Sequence, residues 1–191
     1  MTPTRALPGW YPLLRARALR RQPVTRVLAG TPVRLRRADG GVLAIHADSG
    51  AVRRAWEADG WIFLAEGDPP ADACPGPLLF APPFRQIHID GNVRAGLGDV
   101  ADNILDTTHT SVVHQGYLRQ AGGRRPVEAI LESGDGWISA TYPPDAAPGG
   151  WGARVLGAHR YTICDRFRAP AIAEIAYTDD DKSVFAARFR L

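Results

Sequence analysis

Lysine, methionine and cysteine are nearly absent from this chain, and the shortages exclude whole classes of protein. Cys74 and Cys164 are its two cysteines. They stand far apart and outside any Cys/His repeat, which argues against a disulfide scaffold or a zinc knuckle and leaves two ordinary thiols. No apolar run approaches the roughly 20 residues that a bilayer-spanning helix needs, and no secretory apolar segment opens the chain. A cytoplasmic protein with no membrane partner is expected. Lys182 is the one lysine among 23 basic residues, so arginine carries the positive charge. We read that bias as compositional, with no nucleic-acid partner. Acidic residues are missing until Asp39, across a stretch holding Arg15, Arg17, Arg20, Arg21, Arg26, Arg34, Arg36 and Arg37. Such a start mimics an organellar transit peptide. Pro8, Pro12, Pro23, Gly30 and Pro32 interrupt it, however, and it reads as part of the fold. It is either a solvated basic face or, on the sharper reading, a docking patch for an acidic electron-transfer partner.

What is present is ordinary for a globular protein: 191 residues, 45% hydrophobic, 23% charged and a net charge of +3. The 20 glycines and 16 prolines favour turns and short strands over long helices. This length suits one domain, or a small domain and a lobe of another. Residues 24 to 29 and 32 to 37 alternate in polarity, and the turn Ala38-Asp39-Gly40-Gly41 leads into residues 42 to 46, a hairpin signature. Residues 51 to 56, a turn at Asp59-Gly60 and the run Trp61-Ile62-Phe63-Leu64 complete a small antiparallel unit. Residues 66 to 83 are too dense in proline for a helix or a central strand. The predicted division is a first β unit over 1–68, a linker over 69–83 and a second unit over 84–191. In the second unit, residues 84 to 90 alternate as a strand. Leu97, Val100, Ala101, Ile104 and Leu105 predict a helix from Leu97 to about Thr110. Strands are predicted over 127–132, 137–142, 161–168, 171–178 and 184–190, with a loop over 143–152. One helix among antiparallel strands is an α+β pattern.

The segment that carries chemistry is Asp102-Asn103-Ile104-Leu105-Asp106-Thr107-Thr108-His109-Thr110-Ser111-Val112-Val113-His114. Two neutral imidazoles and a carboxylate on one face of a metal leave Fe(II) open positions for O2 and substrate. On a straight helix, residues five apart point about 140° away from each other. His109 and His114 can therefore share a metal only if the helix widens into a π-type turn or ends between them. Asp106, three residues before His109, would share its helical face and could orient its ring. By spacing alone the segment is either a metal-binding pair or a helix end with two ordinary histidines. His46, His88 and His159 have no such partners and read as structural or surface residues.

The run of residues 102–114 resembles the Asn-x-x-Asp-x-x-His-x-x-x-x-His signature of the catalytic subunits of Rieske-type non-haem iron oxygenases. The likeness is to the monooxygenase and O-demethylase branch, which includes vanillate and dicamba demethylases. It extends to Gly9-Trp10-Tyr11-Pro12, to Asp39-Gly40-Gly41-Val42 and to Trp61-Ile62-Phe63-Leu64-Ala65-Glu66-Gly67-Asp68-Pro69, so most of the chain is covered. The resemblance implies that His109 and His114 ligate a mononuclear Fe(II). It makes Asp106 the bridge toward a neighbouring subunit's cluster and Asn103 a residue near the iron. It also implies an antiparallel sheet wrapped on a helix, a START or helix-grip-like catalytic domain, preceded by the remnant β-barrel of a Rieske domain.

Two departures stand out. After Ile45-His46 the family has Cys-x-His and later Cys-x-x-His, which hold a [2Fe–2S] cluster. Here Ala47-Asp48-Ser49-Gly50 runs directly into the next strand. This chain is not expected to bind its own cluster. The sequence also stops at Leu191, before the family's C-terminal helix with its carboxylate ligand. Asp102, Asp106 or a water would have to substitute, or the iron site is incomplete. The expected partners are O2, a small aromatic or apolar substrate, and a cluster-bearing oxygenase subunit, ferredoxin or reductase, in an oligomer. The expected function is hydroxylation or O/N-demethylation with electrons from that partner. The alternative is a catalytically inactive homologue that binds ligand or stabilises a subunit.

Overall fold

The computed structural model describes residues 6–70, 87, 89, 91–106, 128–144, 161–179 and 182–191, with backbone alone at 179 and 182–184. The chain divides into two compact units. One comprises residues 1–77 with 169–171, and the other residues 78–168 with 172–191.

The first unit contains β1 (Gly9–Arg15), a 3-10 turn (Ala16–Ala18), β2 (Val24–Leu28), β3 (Thr31–Ala38), β4 (Gly41–His46), β5 (Val52–Arg53), β6 (Ala55–Ala58) and β7 (Trp61–Glu66). They form two antiparallel sheets, in the orders β1-β7-β6 and β2-β3-β4-β5. Strand periodicity decides what goes inside: in β3, Val33 and Leu35 are fully buried while Arg34 and Arg36 between and beyond them are exposed. They join Leu14, Leu19, Ala44, Ile62 and Leu64 in one apolar core. The hairpins are closed by Ala29-Gly30 and Asp59-Gly60, both with positive φ at the two central residues, the twist-matched type I′ arrangement.

Strand β1 was not anticipated, because Pro12 argues against a strand. It survives because, among the described residues, β1 is an edge strand paired to β7, and its register shifts between Pro12 and Leu14. An edge or a bulge is where a strand tolerates proline. Around it, the Trp10 indole N–H donates to the Pro70 carbonyl at 2.9 Å, and the Tyr11 hydroxyl donates to Leu7 at 3.0 Å. Burial pushes the Tyr11 phenol above its ordinary pKa, with the Leu7 bond acting the other way.

β4 and β5 are joined directly across residues 47–51. The His46 amide donates to Ala51 at 2.8 Å, Gly50 donates back to His46 at 2.9 Å, and the Ser49 amide donates to His46 Nδ1 at 3.2 Å. The short turn thus reconnects neighbouring strands.

The second unit contains α1 (Leu97–Leu105), β8 (Ile130–Gly134), β9 (Trp137–Tyr142), β10 (Thr162–Arg168), β11 (Ile172–Asp179) and β12 (Lys182–Arg190). The strands form one antiparallel sheet in the order β12-β11-β10-β9-β8, and α1 packs against β10 and β11. This is the expected α+β arrangement. Helix α1 ends at Leu105; residues 107–110 of the predicted helix lie outside the described residues. The Asp106-Thr107-Thr108 sequence that follows combines a side chain that competes for backbone hydrogen bonds with two β-branched residues, a poor continuation.

Residues 71–83 of the proposed linker, most of the 84–90 strand, and Cys74, His88, His109, His114 and His159 lie outside the described residues. Among the described residues, no helix is long and apolar enough to cross a membrane.

Candidate functional site

The site is built where α1 ends over one face of the sheet. The helix starts at Gly96, an extended N-cap whose amide donates to the Asp99 carboxylate at 3.2 Å. An acid in the first turn also faces the positive end of the helix dipole. Ala101 is buried and Ile104 and Leu105 are half-buried, so the apolar stripe of α1 reaches its last residue. Asp106 caps the helix with φ −78° and ψ 89°, its amide donating to the Asp102 carbonyl at 2.9 Å. Asp106 has therefore left helical geometry; its predicted neighbour His109 lies outside the described residues.

Beneath Leu105 lies a half-open cavity of about 130 Å³. Among the described residues, Leu131 from β8, Ile138, Ser139 and Ala140 from β9, and Asp165 and Phe167 from β10 also line it. The register explains the grouping. Leu131, Ala140 and Asp165 are successive cross-strand partners, as are Ile138 and Phe167 two residues along, so all five side chains share one face. Asp165 is the charged residue among these five and is 3% exposed.

Asn103, Asp102 and Asp106 are exposed, and none of them lines this cavity. His109 and His114 lie outside the described residues. Among the described residues no three His, Cys, Asp or Glu are grouped to hold a metal. Asp165 was not recognised from the sequence. In Thr162-Ile163-Cys164-Asp165-Arg166-Phe167-Arg168 it sits among charged residues and reads as solvent-facing; only the register shows otherwise.

The opposite face of the same sheet is also charged. Arg166, Glu174 and Arg188 are cross-strand partners. The Glu174 carboxylate, 1% exposed, accepts from Arg188 Nε at 2.6 Å and from Arg168 Nε at 3.2 Å. The Arg166 guanidinium lies 4.7 Å above the Trp137 ring.

No protein-family model matches the chain, and no curated protein does. Solved structures do. Dicamba monooxygenase bound to dicamba superposes with a TM-score of 0.73 at 20% identity, over 94% of this chain and 70% of that one. Dicamba monooxygenase with non-haem iron and dicamba gives 0.67 at 20% identity, over 96% and 70%. The oxygenase of carbazole 1,9a-dioxygenase, in complex with ferredoxin and carbazole, gives 0.60 at 12% identity, over 96% and 70%. At such identities the likeness carries the fold. The chain thus has the fold of the oxygenase components of Rieske-type non-haem iron oxygenases, the fold its histidine segment had implied.

Proposed function

We propose that the chain is an oxygenase component that hydroxylates, or demethylates at O or N, a small aromatic or apolar molecule, using a mononuclear Fe(II) and electrons from a separate donor. One observation carries the reading: a two-histidine, one-aspartate segment follows directly on α1 in a fold shared with an iron-containing dicamba monooxygenase. Two imidazoles with a nearby carboxylate are the donor set that suits non-haem Fe(II). His109 and His114 would hold the metal, which when bound would supply O2 activation.

The remaining tasks fall to the chain's own residues. Asp106 orients an imidazole through its ring N–H and lies on the electron's route. Asn103 provides a polar edge. Leu105 and the β8–β10 face supply an apolar wall that keeps water from the substrate. The β4–β5 hairpin has no Cys/His set for a [2Fe–2S] cluster, so the electrons must come from a cluster-bearing subunit, ferredoxin or reductase. The carbazole oxygenase–ferredoxin complex is a precedent in the same fold.

That same hairpin favours a second reading, a catalytically inactive homologue that binds ligand or stabilises a subunit. Iron content after anaerobic Fe(II) reconstitution tests the metal site. Wild type should retain about one iron per chain, as a chelating donor set would, and the His109→Ala/His114→Ala variant far less. Equal retention would sink the metal site. With iron bound, substrate-dependent O2 uptake driven by a reduced ferredoxin separates the oxygenase from the inactive homologue.

A further inference from the structure

We infer that the outer face of the β2–β5 sheet docks an amphipathic helix of another protein, with the helix's apolar stripe on Leu43, Ile45 and Val52 and its acidic flank against Arg34 and Arg36. The inference goes beyond the oxygenase reading and does not rest on it.

The register separates the two sides of this sheet. Leu35 and Ala44 are paired and belong to the core, so their neighbours along the strands, Arg34, Arg36, Leu43 and Ile45, face outward. Val52 pairs with Ile45 and joins them. When water covers one side of an antiparallel sheet, that side is normally polar. Here Leu43 and Ile45 are half-buried, while Val52 on one edge strand is 69% exposed and Val27 on the other is 64% exposed.

Charge is divided between the same two sides. Strands β2 to β5 contain no aspartate or glutamate. On the core side, Arg37 and Arg53 each receive a carboxylate from the other sheet, Glu57 of β6 and Glu66 of β7. Arg34 and Arg36 are exposed and, among the described residues, have no carboxylate partner. Apolar residues beside arginine, without acids, are the composition of a contact surface.

Geometry selects the occupant. A helix is about 10–12 Å wide with its side chains, and strands lie about 4.8 Å apart, so one helix laid along β4 reaches β3 and β5 as well. Its apolar stripe then meets Leu43 and Ile45, with Val52 on one flank and the two arginines on the other. Helix α1 packs on β10 and β11 of the second unit in a comparable way. The same face of a second copy would bring arginine to arginine, and a nucleic acid would find no aromatic ring there to stack on. The face measures roughly 14 Å by 17 Å, far less than the ~800 Å² that each partner of a stable complex buries. Docking is therefore weak and sensitive to salt.

The test uses the full chain and fluorescence anisotropy of labelled probes. They are a capped helical peptide of alanine, leucine and glutamate with its leucines in one stripe flanked by glutamates, a scrambled peptide of the same composition, the striped peptide with lysine for glutamate, and heparin. The striped acidic peptide should bind about tenfold more tightly than either control peptide, and added salt should loosen it. Arg34→Glu with Arg36→Glu replaces two exposed attractions by two repulsions and should weaken it about tenfold, and Val52→Asp should weaken it several-fold. Arg17→Glu with Arg94→Glu makes the same change in net charge at exposed arginines outside this sheet and should leave binding within about twofold. No binding of the striped peptide, equal binding of the scrambled one, or an equal loss in the Arg17/Arg94 variant would each overturn the inference. Heparin bound through Arg34 and Arg36 more tightly than the peptide would make the face a polyanion site and overturn it too. Should Arg34→Glu with Arg36→Glu fail to fold, Arg34→Gln with Arg36→Gln takes its place, with a several-fold loss expected and an unchanged affinity fatal. Iron enters none of these measurements, so their failure leaves the iron experiment standing.

Discussion

The two units bury different things. In the first, the described buried residues are apolar, and charged side chains pair outside that core: Arg37 with Glu57, Arg54 with Asp68, and Arg53 with Glu66 at 2.6 Å. In the second, the buried residues include Ser139, Asp165 and Glu174. A sheet that hides carboxylates on both faces gives up stability relative to an apolar one, because desolvating a charge costs more than its pairing usually returns. The first unit is organised by shape and the second by charge, and the candidate site lies in the second.

That contrast can be broken by substitution. Leu35 is fully buried in the first unit's core. Leu35→Ala should cost about 4 kcal/mol from lost burial and the cavity left behind, whereas the volume-conserving Leu35→Met should cost less than about 1.5 kcal/mol. Urea unfolding followed through the tryptophans measures both. If Leu35→Met were as damaging as Leu35→Ala, shape would not be what the first unit depends on.

In the second unit an isosteric change should be the damaging one. Glu174→Gln keeps the volume but removes the charge that faces Arg188, whose side chain is 2% exposed. Leaving a buried guanidinium without its carboxylate should cost about 3 kcal/mol. Replacing both partners, as Glu174→Leu with Arg188→Met, should recover much of that loss, since an apolar pair carries no desolvation cost. A Glu174→Gln variant with wild-type unfolding would erase the distinction between the units.

The same contrast explains what could be read in the sequence. The hairpins of the first unit were legible because Asp59-Gly60 and Asp39-Gly40 announce turns and the flanking residues alternate. β1 was not, because Pro12 is disqualifying in a central strand and harmless at an edge, and edge position is a tertiary fact. In the second unit, five strands and a helix were legible from spacing. The end of α1 at Leu105 was not legible, because polarity period alone does not register the weak helix propensity of Asp106. Asp165 and Glu174 were invisible as buried residues. A charged residue on a strand is expected to face water, and only pairing to neighbours on both sides reveals a covered face. Asn103 came from resemblance and Asp106 from its spacing to His109 as well as from resemblance; both are exposed.

The smallest effect expected concerns strain in a turn of the first unit. Ala29 sits at φ 47° and Asp59 at φ 49°, each at the first central position of its type I′ turn. For an L-residue with a Cβ this conformation costs roughly 1 kcal/mol. Aspartate offsets part of the cost by local hydrogen bonding, and alanine has no such means. Ala29→Gly should therefore stabilise the protein by somewhat less than about 1 kcal/mol, because glycine's looser unfolded chain takes back part of the gain. Asp59→Gly should stabilise it less, or not at all. Both are read as denaturation midpoints at constant slope. A gain at Asp59 that exceeds the gain at Ala29 would mean that side-chain bonding contributes nothing in these turns, and the first unit's stability would then rest on its apolar core and register alone.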